Sequence, residues 1–540
     1  MQRSLSDPHP WLTALASDGR IHFQSEAGWT STLAPSAAAP VDRIAGFLQH
    51  KGPQSLADLR QGTGLSDEEL HSGLRLLTEA RQLVQGCLYE GEDQEVWCQR
   101  DRFIELYRRA IVQRRQLEQA VEWPTLAAGL LRFRNRRDPL ALAGYALPVK
   151  SLERDLLCFE PDAIMSFKNG FSQGEIIAVA MRNNEGSRIN LTLWPASQGH
   201  LLADRTEILA RAERLTDQAI TVWLFLKENG ASRVRTISQA CGMTTRTVLA
   251  CLQELALNSM ASCDQYEQFI SALQGEFAAA EKDEKPFGPE RAFTPRPAFV
   301  PRRQIRQQVH LQEGHWFLLS GFAVMGREIS LQQKAEWQAR LLLGRYGIVV
   351  KEAYRRETGL LPWPQIFHAL KRLEWQGDIR RGYFVQGMSG IQFARPDFLR
   401  LLQEESGSTS TLEIMAAVEP ICTTLLAAAK NPLSLDGKPV DIKKVAGNYL
   451  VFFDKTPMAY LEHYAQQIWT TAACRAEHIE ALIPILKRWL QLPEAYRPRK
   501  HLVVQQIDYR PAALHPLAGE FTRHGFEKDG ERLLLWPSGV

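Results

Sequence analysis

The sequence has no C-x-x-C pair: its eight cysteines, Cys87, Cys98, Cys158, Cys241, Cys251, Cys263, Cys422 and Cys474, stand singly. That spacing argues against a zinc site or a disulfide framework and leaves the thiols as small buried hydrophobes in a reducing cytoplasm. The thirteen histidines form no H-x-x-x-H or H-E-x-x-H pattern and no G-x-S-x-G elbow occurs, so metal hydrolysis and serine chemistry have no support. No G-x-x-x-x-G-K-[ST] loop is present. Gly437-Lys438 is followed by proline and lacks the upstream glycine, so no backbone nest cradles a nucleotide phosphate there. No stretch approaches the roughly 20 apolar residues that span a bilayer, and MQRSLSDPHPWLTALASDGR has no uninterrupted apolar core of an export signal. No cofactor, metal or membrane partner is expected. Strong charge is lacking too: 64 basic against 61 acidic residues give a net charge of +3, so only the distribution of charge along the chain is informative.

What is present is length and repetition. A chain of 540 residues exceeds one ordinary hydrophobic core and implies several modules. Apolar periodicity and helix breakers outline three similar units, each of three helices followed by an extended, turn-containing segment, which is the winged-helix pattern. The first occupies 41–100: VDRIAGFLQH, then SLADLRQGTG, then a helix capped by Ser66 with Glu69 three residues on, running to about Gln82. Its wing is LVQGCLYEGEDQEVWC, turning at Gly91. The second occupies 216–274, with DQAITVWLFLKENG, RTISQACGM and TTRTVLACLQELAL as helices. The third occupies 313–405, with LQQKAEWQARLLLGRYG, VVKEAYRRETG and PWPQIFHALKRLEWQG as helices and DIRRGYFVQGMSGIQFA as the wing.

Residues 1–40 form an N-terminal segment, and 101–215 a helical, winged-helix-like connector. That connector opens with the basic helix DRFIELYRRAIVQRRQLE, continues through a helix ending in LLRFRNRRD, and has only weak helical periodicity from Pro139 to Pro195. Residues 275–312 are a Pro-rich linker carrying Arg291, Arg296, Arg302, Arg303 and Arg306, with no acid from Arg291 through Gln312. Residues 411–540 switch to a β pattern: NYLVFFDKTPMAYLEHY is a hairpin turning near Asp454 to Pro457, and HLVVQQIDY is a further strand. The helices CRAEHIEALIPILKRWLQL and HPLAGEFTRHGF accompany them. The expected class is therefore α+β, tandem winged-helix modules with a C-terminal β-barrel-like mixed module.

The stretch from EGHWFLL through LLLGRYGIVVKEAYRRE and PWPQIFHALKRLEWQGDIRRGYFVQGMSGIQFARPD resembles the C-terminal region of the large helicase-related (Lhr) DNA repair proteins, in which R-Y-G-V-V, a P-W helix, R-R-G-Y-F-V and Q-F-A follow in that order. EVWCQRDRFIELYRRAIVQRRQLE, FRNRRDPLALAGYALPVKSLERDLL, GNYLVFFDKTPMAYLE and AGEFTRHGFEKDGERLLL are similar to further blocks of that region, so the resemblance covers roughly residues 40 to 540. Complete Lhr proteins begin with a helicase core that this sequence lacks. The resemblance implies a winged-helix array that binds single-stranded or duplex DNA, self-associates, acts with a separate Lhr-type helicase core, and works in the cytoplasm at the nucleoid. It also implies an architecture similar to winged-helix DNA glycosylases. Met1 favours a complete chain.

In a winged helix the third helix enters the major groove by its N-terminal residues, and cations of the wing and linker neutralise phosphates. Thr244, Thr245 and Arg246 occupy that position in the second unit. In the third unit the wing offers Arg380 and Arg381 beside Tyr383 and Phe384, whose rings can stack on bases or else line a half-buried strand. Arg132, Arg134, Arg136 and Arg137 form a basic cluster around Phe133, and Arg302 and Arg303 lie in the arm. Gln506-Ile507-Asp508 spells the Q-Φ-D triplet of alkyl-lesion glycosylases on an expected strand, where Gln506 and Asp508 share a face. Those enzymes carry the triplet near the start of their fold, so an ordinary strand is the plainer reading. Three functions follow: a DNA-binding accessory module without its own ATPase, a DNA glycosylase acting on damaged or deaminated bases, or an oligomerising scaffold.

Overall fold

The computed structural model describes residues 21–24, 28–31, 39–89, 93–117, 119–136, 139–148, 169–182, 189–274, 314–404, 412–428, 434–435, 438–454, 456–492 and 497–539. The chain divides into two units, Met1–Glu118 and Gln119–Val540.

In the first unit, helices Pro40–Leu48, Leu56–Thr63 and Asp67–Glu79 enclose Ile44, Leu48, Leu59, Leu70, Leu74 and Leu77. Ser55 with Asp58 and Ser66 with Glu69 both close capping boxes, so the second and third helices start where two reciprocal hydrogen bonds satisfy their free N–H groups. Gly73 lies where the third helix meets the first; a Cβ there would come within 2.5 Å of Ile44 Cδ1. Strands Gln54–Ser55, Leu83–Gly86 and Val96–Gln99 form a sheet with the last strand in the middle. Helix Arg100–Leu117 follows, and a hairpin pairs Ile21–Gln24 with Gly28–Ser31. The third helix ends at Glu79, short of the expected Gln82, because Arg81 turns the chain with φ +58. The turn expected at Gly91 lies outside the described residues.

The same order recurs twice in the second unit. Helices Asp217–Asn229, Val234–Cys241 and Thr245–Leu257 accompany strands Ser232–Arg233, Ala261–Cys263 and His315–Leu318, the last again central. The apolar stretch HWFL, expected to open the following module, therefore completes this sheet. The expectation fails because the partner strand is about fifty residues upstream, and local periodicity carries no record of so distant a pairing. Helix Tyr266–Gln274 and the arginine-rich arm consequently connect the second and third strands of this sheet.

Helices Leu331–Tyr346, Lys351–Tyr354 and Trp363–Gln376 then precede strands Arg380–Gly382 and Gln392–Ala394. Gln392–Ala394 pairs with both Ile348–Val349 and Arg380–Gly382. The expected helix over VVKEAYRRETG is reduced to one turn. The connector holds more strand than its weak periodicity suggested: Ile176–Arg182 and Ile189–Pro195 pair over their whole length, and Leu147–Pro148 joins their edge. Helices Arg100–Leu117 and Trp123–Arg136 fall where expected.

The C-terminal region is a six-stranded sheet in the order Leu412–Ala416, Tyr449–Phe453, Thr456–Glu462, Gln467–Thr470, Gln506–Ile507, Arg510–Pro511, with one parallel pair, Gln467–Thr470 beside Gln506–Ile507. Alternate side chains bury both faces. Ile414, Tyr449, Val451, Leu461 and Ile468 face helix Ala476–Gln491, whereas Met415, Leu450, Phe452 and Tyr460 join the core that holds helices Pro420–Ala428 and Leu331–Tyr346. The hairpin turns at Asp454 as expected. Among the described residues the first and last strands do not pair, so the sheet is open and the expected barrel does not close. HLVVQQIDY is not one strand: Leu502–Val504 pairs with Arg532–Leu535 in a separate sheet, and Gln506–Ile507 belongs to the six-stranded one.

Candidate nucleic-acid interface

In a winged helix the third helix is the one presented to a groove, so the first turn of the third helix in each repeat sets the local potential there. In helix Asp67–Glu79 that turn holds Asp67, Glu68 and Glu69, three carboxylates where DNA would place phosphates. Helices Thr245–Leu257 and Trp363–Gln376 carry no acid in the first turn. The repeats thus differ in the one property that phosphate contact requires.

Thr244 is the N-cap of its helix: its hydroxyl oxygen accepts from Thr247 N at 3.2 Å, which fixes the helix start. Thr244 and Arg246 are exposed and Thr245 is half-buried, so all three lie at the solvent end. The far half of this helix is packed away. Ser262 Oγ, just beyond it, donates to Ala178 O at 2.6 Å and ties this repeat to the connector hairpin.

Helix Trp363–Gln376 has Pro362 as its N-cap and a second proline, Pro364, within its first turn, where no intrahelical N–H is needed. Ile366, Ala369, Leu370 and Leu373 face the core, leaving Gln365, His368 and Lys371 along the opposite face. Gln365 and His368 are exposed, and Lys371 is half-buried with its ammonium 5.9 Å from the Phe367 ring. Their only signal in the sequence is polar residues at i, i+3 and i+6 against an apolar stripe, which is weaker than that of the arginine clusters.

Arg380 is exposed at the start of the wing, whereas Arg381 Nε lies 3.2 Å from Glu374 of the third helix and braces the strand. Tyr383 is 67% exposed, while Phe384 is buried. Of the two readings open for these rings, base stacking or a buried strand, Phe384 takes the buried one, because adjacent residues of an extended segment point to opposite sides. Gln392 holds the turn: its Oε1 accepts from Phe384 N at 2.7 Å and Val385 N at 2.9 Å, and its Nε2 donates to Val385 O at 3.1 Å. Val121 N donates to Phe384 O at 2.8 Å and Gln386 N to Val121 O at 2.9 Å, so the wing is pinned at its base.

Arg132 and Arg134 are drawn inward. Arg132 Nη1 donates to Leu401 O at 2.5 Å, and Arg134 Nη1 to Ile414 O at 2.7 Å with Glu413 3.4 Å away. They join helix Trp123–Arg136 to the strand and helix around residues 401–414. Arg136 lies 3.4 Å from Glu404. Arg302 and Arg303, with the rest of the arm, lie outside the described residues, as does Arg137.

Asp508 is not on a strand and does not share a face with Gln506. Asp508 and Tyr509, at φ +51 and +66, form the two-residue turn between Gln506–Ile507 and Arg510–Pro511, a conformation aspartate tolerates. Its carboxylate accepts from Thr470 N at 2.7 Å and Thr470 Oγ1 at 2.5 Å. His515 Nε2 lies 3.7 Å away, and Leu517 N donates to His515 Nδ1 at 3.2 Å. Burial holds the His515 imidazole below its usual range, against the opposing pull of Asp508. Gln506 is exposed.

The R-Y-G segment has a structural cause. Arg345 is fully buried; Nε donates to Ala141 O at 2.8 Å, Nη2 to Ala143 O, and Nη1 pairs with the buried Glu357. Tyr346 Oη donates to the other Glu357 oxygen at 2.6 Å. Gly347, at φ +71, leaves room for Phe398, whose ring would come within 2.5 Å of a Cβ.

Residues 328–413 match the family model described as large helicase-related protein, winged-helix domain. This segment is similar to the winged-helix domain of the large helicase-related (Lhr) proteins. The Lhr-type C-terminal region expected from R-Y-G, the P-W helix and R-R-G-Y-F-V is thereby upheld. A 61-residue stretch is also 39% identical to a protein of Mycolicibacterium smegmatis named Lhr helicase/probable uracil glycosylase. That stretch is 11% of this chain and spans 4% of the relative. The Lhr domain places Gln365, His368, Lys371 and Arg380 on one winged helix, and no helix among the described residues is long and apolar enough to cross a membrane.

Proposed function

We propose that this chain is the DNA-docking part of an Lhr-type repair system, with the ATP-driven motor supplied by a separate helicase chain. The Lhr winged-helix domain at 328–413 carries the reading, supported by an acid-free first turn on its third helix and the exposed Arg380 and Tyr383 in its wing. The other two repeats are read as winged helices from their shared strand order. The second reaches DNA through Thr244, Thr245 and Arg246, while the acidic third helix of the first turns that repeat toward protein contacts. Arg302 and Arg303 add sequence-independent phosphate contacts from an arm inserted in a wing, and Arg132 and Arg134 hold the scaffold behind the domain. Self-association is favoured by the exposed Phe322 and Leu331 near the start of the domain.

A second reading, base release, is favoured by the name of the Mycolicibacterium relative and by the carboxylate of Asp508 beside His515. In that reading Asp508, with Gln506 nearby, assists departure of a damaged or deaminated base. The purified chain is incubated without ATP with labelled duplex and single-stranded DNA carrying uracil or an alkylated base, and retention and alkali-labile scission are scored. Retention without scission is expected. Scission lost in Asp508→Asn would make the glycosylase reading correct, and no retention in about 0.15 M salt, where screening is strong, would leave a scaffold.

A further inference from the structure

The short sheet near the end of the chain lies outside the three repeats. Its strands Leu502–Val504, Arg532–Leu535 and Glu527–Asp529 stand in that order from edge to edge, and the register sets Val503 opposite Leu534. Leu502, Val504, Leu533 and Leu535 are buried in the core, so alternation turns Val503 and Leu534, both half-buried, to the other face. At the next position of that row His501 and Trp536 meet, with ring centroids 4.7 Å apart and planes at 38°. Trp536 is 46% exposed. An indole left this open beside two aliphatic side chains makes a flat apolar ledge.

The loop leading into His501 supplies charge. Arg497 Nε donates to Leu492 O at 2.6 Å, at the end of helix Ala476–Gln491, and fixes the chain there. Arg499 and Lys500 follow; both are exposed, and their side chains make no hydrogen bond or ion pair among the described residues. The acids of this sheet are on the far edge strand: Asp529 lies 2.8 Å from Arg532, and Glu527 stands opposite Leu534. The central strand thus separates the cationic loop from the acidic edge. A phosphodiester strand with unpaired bases fits this arrangement, since the two cations neutralise phosphates and the indole offers a base its π-face. A duplex keeps its bases stacked inside and uses the charges alone. We propose that Arg499, Lys500 and Trp536 form a site for single-stranded DNA, separate from the winged helices, with one base on Trp536 and the backbone along the loop. The choice of DNA rests on the docking reading; the ledge and its cations do not.

The test measures anisotropy of a labelled oligothymidine and of a blunt duplex with the full chain, for the wild type, Trp536→Ala, Trp536→Phe, Arg499→Gln and Lys500→Gln, with urea unfolding checking each fold. Trp536→Ala weakens oligothymidine binding roughly tenfold, Trp536→Phe retains most of it, and duplex affinity is unchanged in both. Each loss of charge lowers the slope of log K against log salt on the single strand by about 0.7. Unchanged oligothymidine affinity in Trp536→Ala overturns the proposal, and if that variant also sediments as a smaller species the ledge is an interface between copies. Equal losses on duplex and single strand overturn a separate site. A wild type that binds oligothymidine but no duplex refutes winged-helix docking and leaves this site standing, whereas one that binds duplex alone refutes this site and leaves the docking.

Discussion

Arg345 and Glu357 form a buried ion pair inside the Lhr-type domain. Both side chains are essentially out of solvent, and three oxygens on two segments meet one guanidinium. Removing one partner strands the other charge, at a cost of about 3–5 kcal/mol. Glu357→Ala therefore shifts the urea midpoint of the second unit strongly downward, and an unchanged midpoint would contradict the assignment. Asp508 has the opposite character: Asp508→Asn keeps an oxygen for Thr470 N and stays compatible with the left-handed turn, so the fold persists and only base release is tested.

At the scale of elements, the third helices separate the repeats. His368→Ala and Lys371→Ala are expected to weaken duplex binding several-fold each, whereas Glu68→Gln in the first repeat leaves it unchanged, all read by fluorescence anisotropy. A loss from Glu68→Gln as large as that from Lys371→Ala would mean that the first repeat also docks DNA. Much of this level was legible in the sequence: the S-x-x-E box at Ser66 and Glu69, the three-helix pattern and the hairpin at Asp454 are local signals. The misses share one physical cause. His315–Leu318 is closed by strands far upstream, Leu502–Val504 and Gln506–Ile507 part into different sheets, and Asp508 leaves its strand because of a two-residue turn. Likewise, nothing in the basic run around Phe133 revealed that Leu401 O and Ile414 O would receive Arg132 and Arg134. Gln392 and Arg345 look like ordinary polar residues until their partners are seen.

In the whole molecule, the second unit is built around a sheet buried on both faces, so the Lhr domain is anchored to a scaffold rather than tethered as a free module. In sequence the arginine-rich stretch 275–312 falls between two strands of one sheet of the second repeat. In the proposed function this scaffold positions DNA for chemistry or unwinding performed elsewhere, with the Lhr-type winged helix supplying the DNA contact. The most direct test compares duplex affinity in about 0.15 M salt for the full wild-type chain and for His368→Ala/Lys371→Ala/Arg380→Ala, with urea unfolding confirming equal stability. Tight, ATP-independent binding that is lost in the triple variant is the predicted result; equal affinity of the two proteins would contradict it.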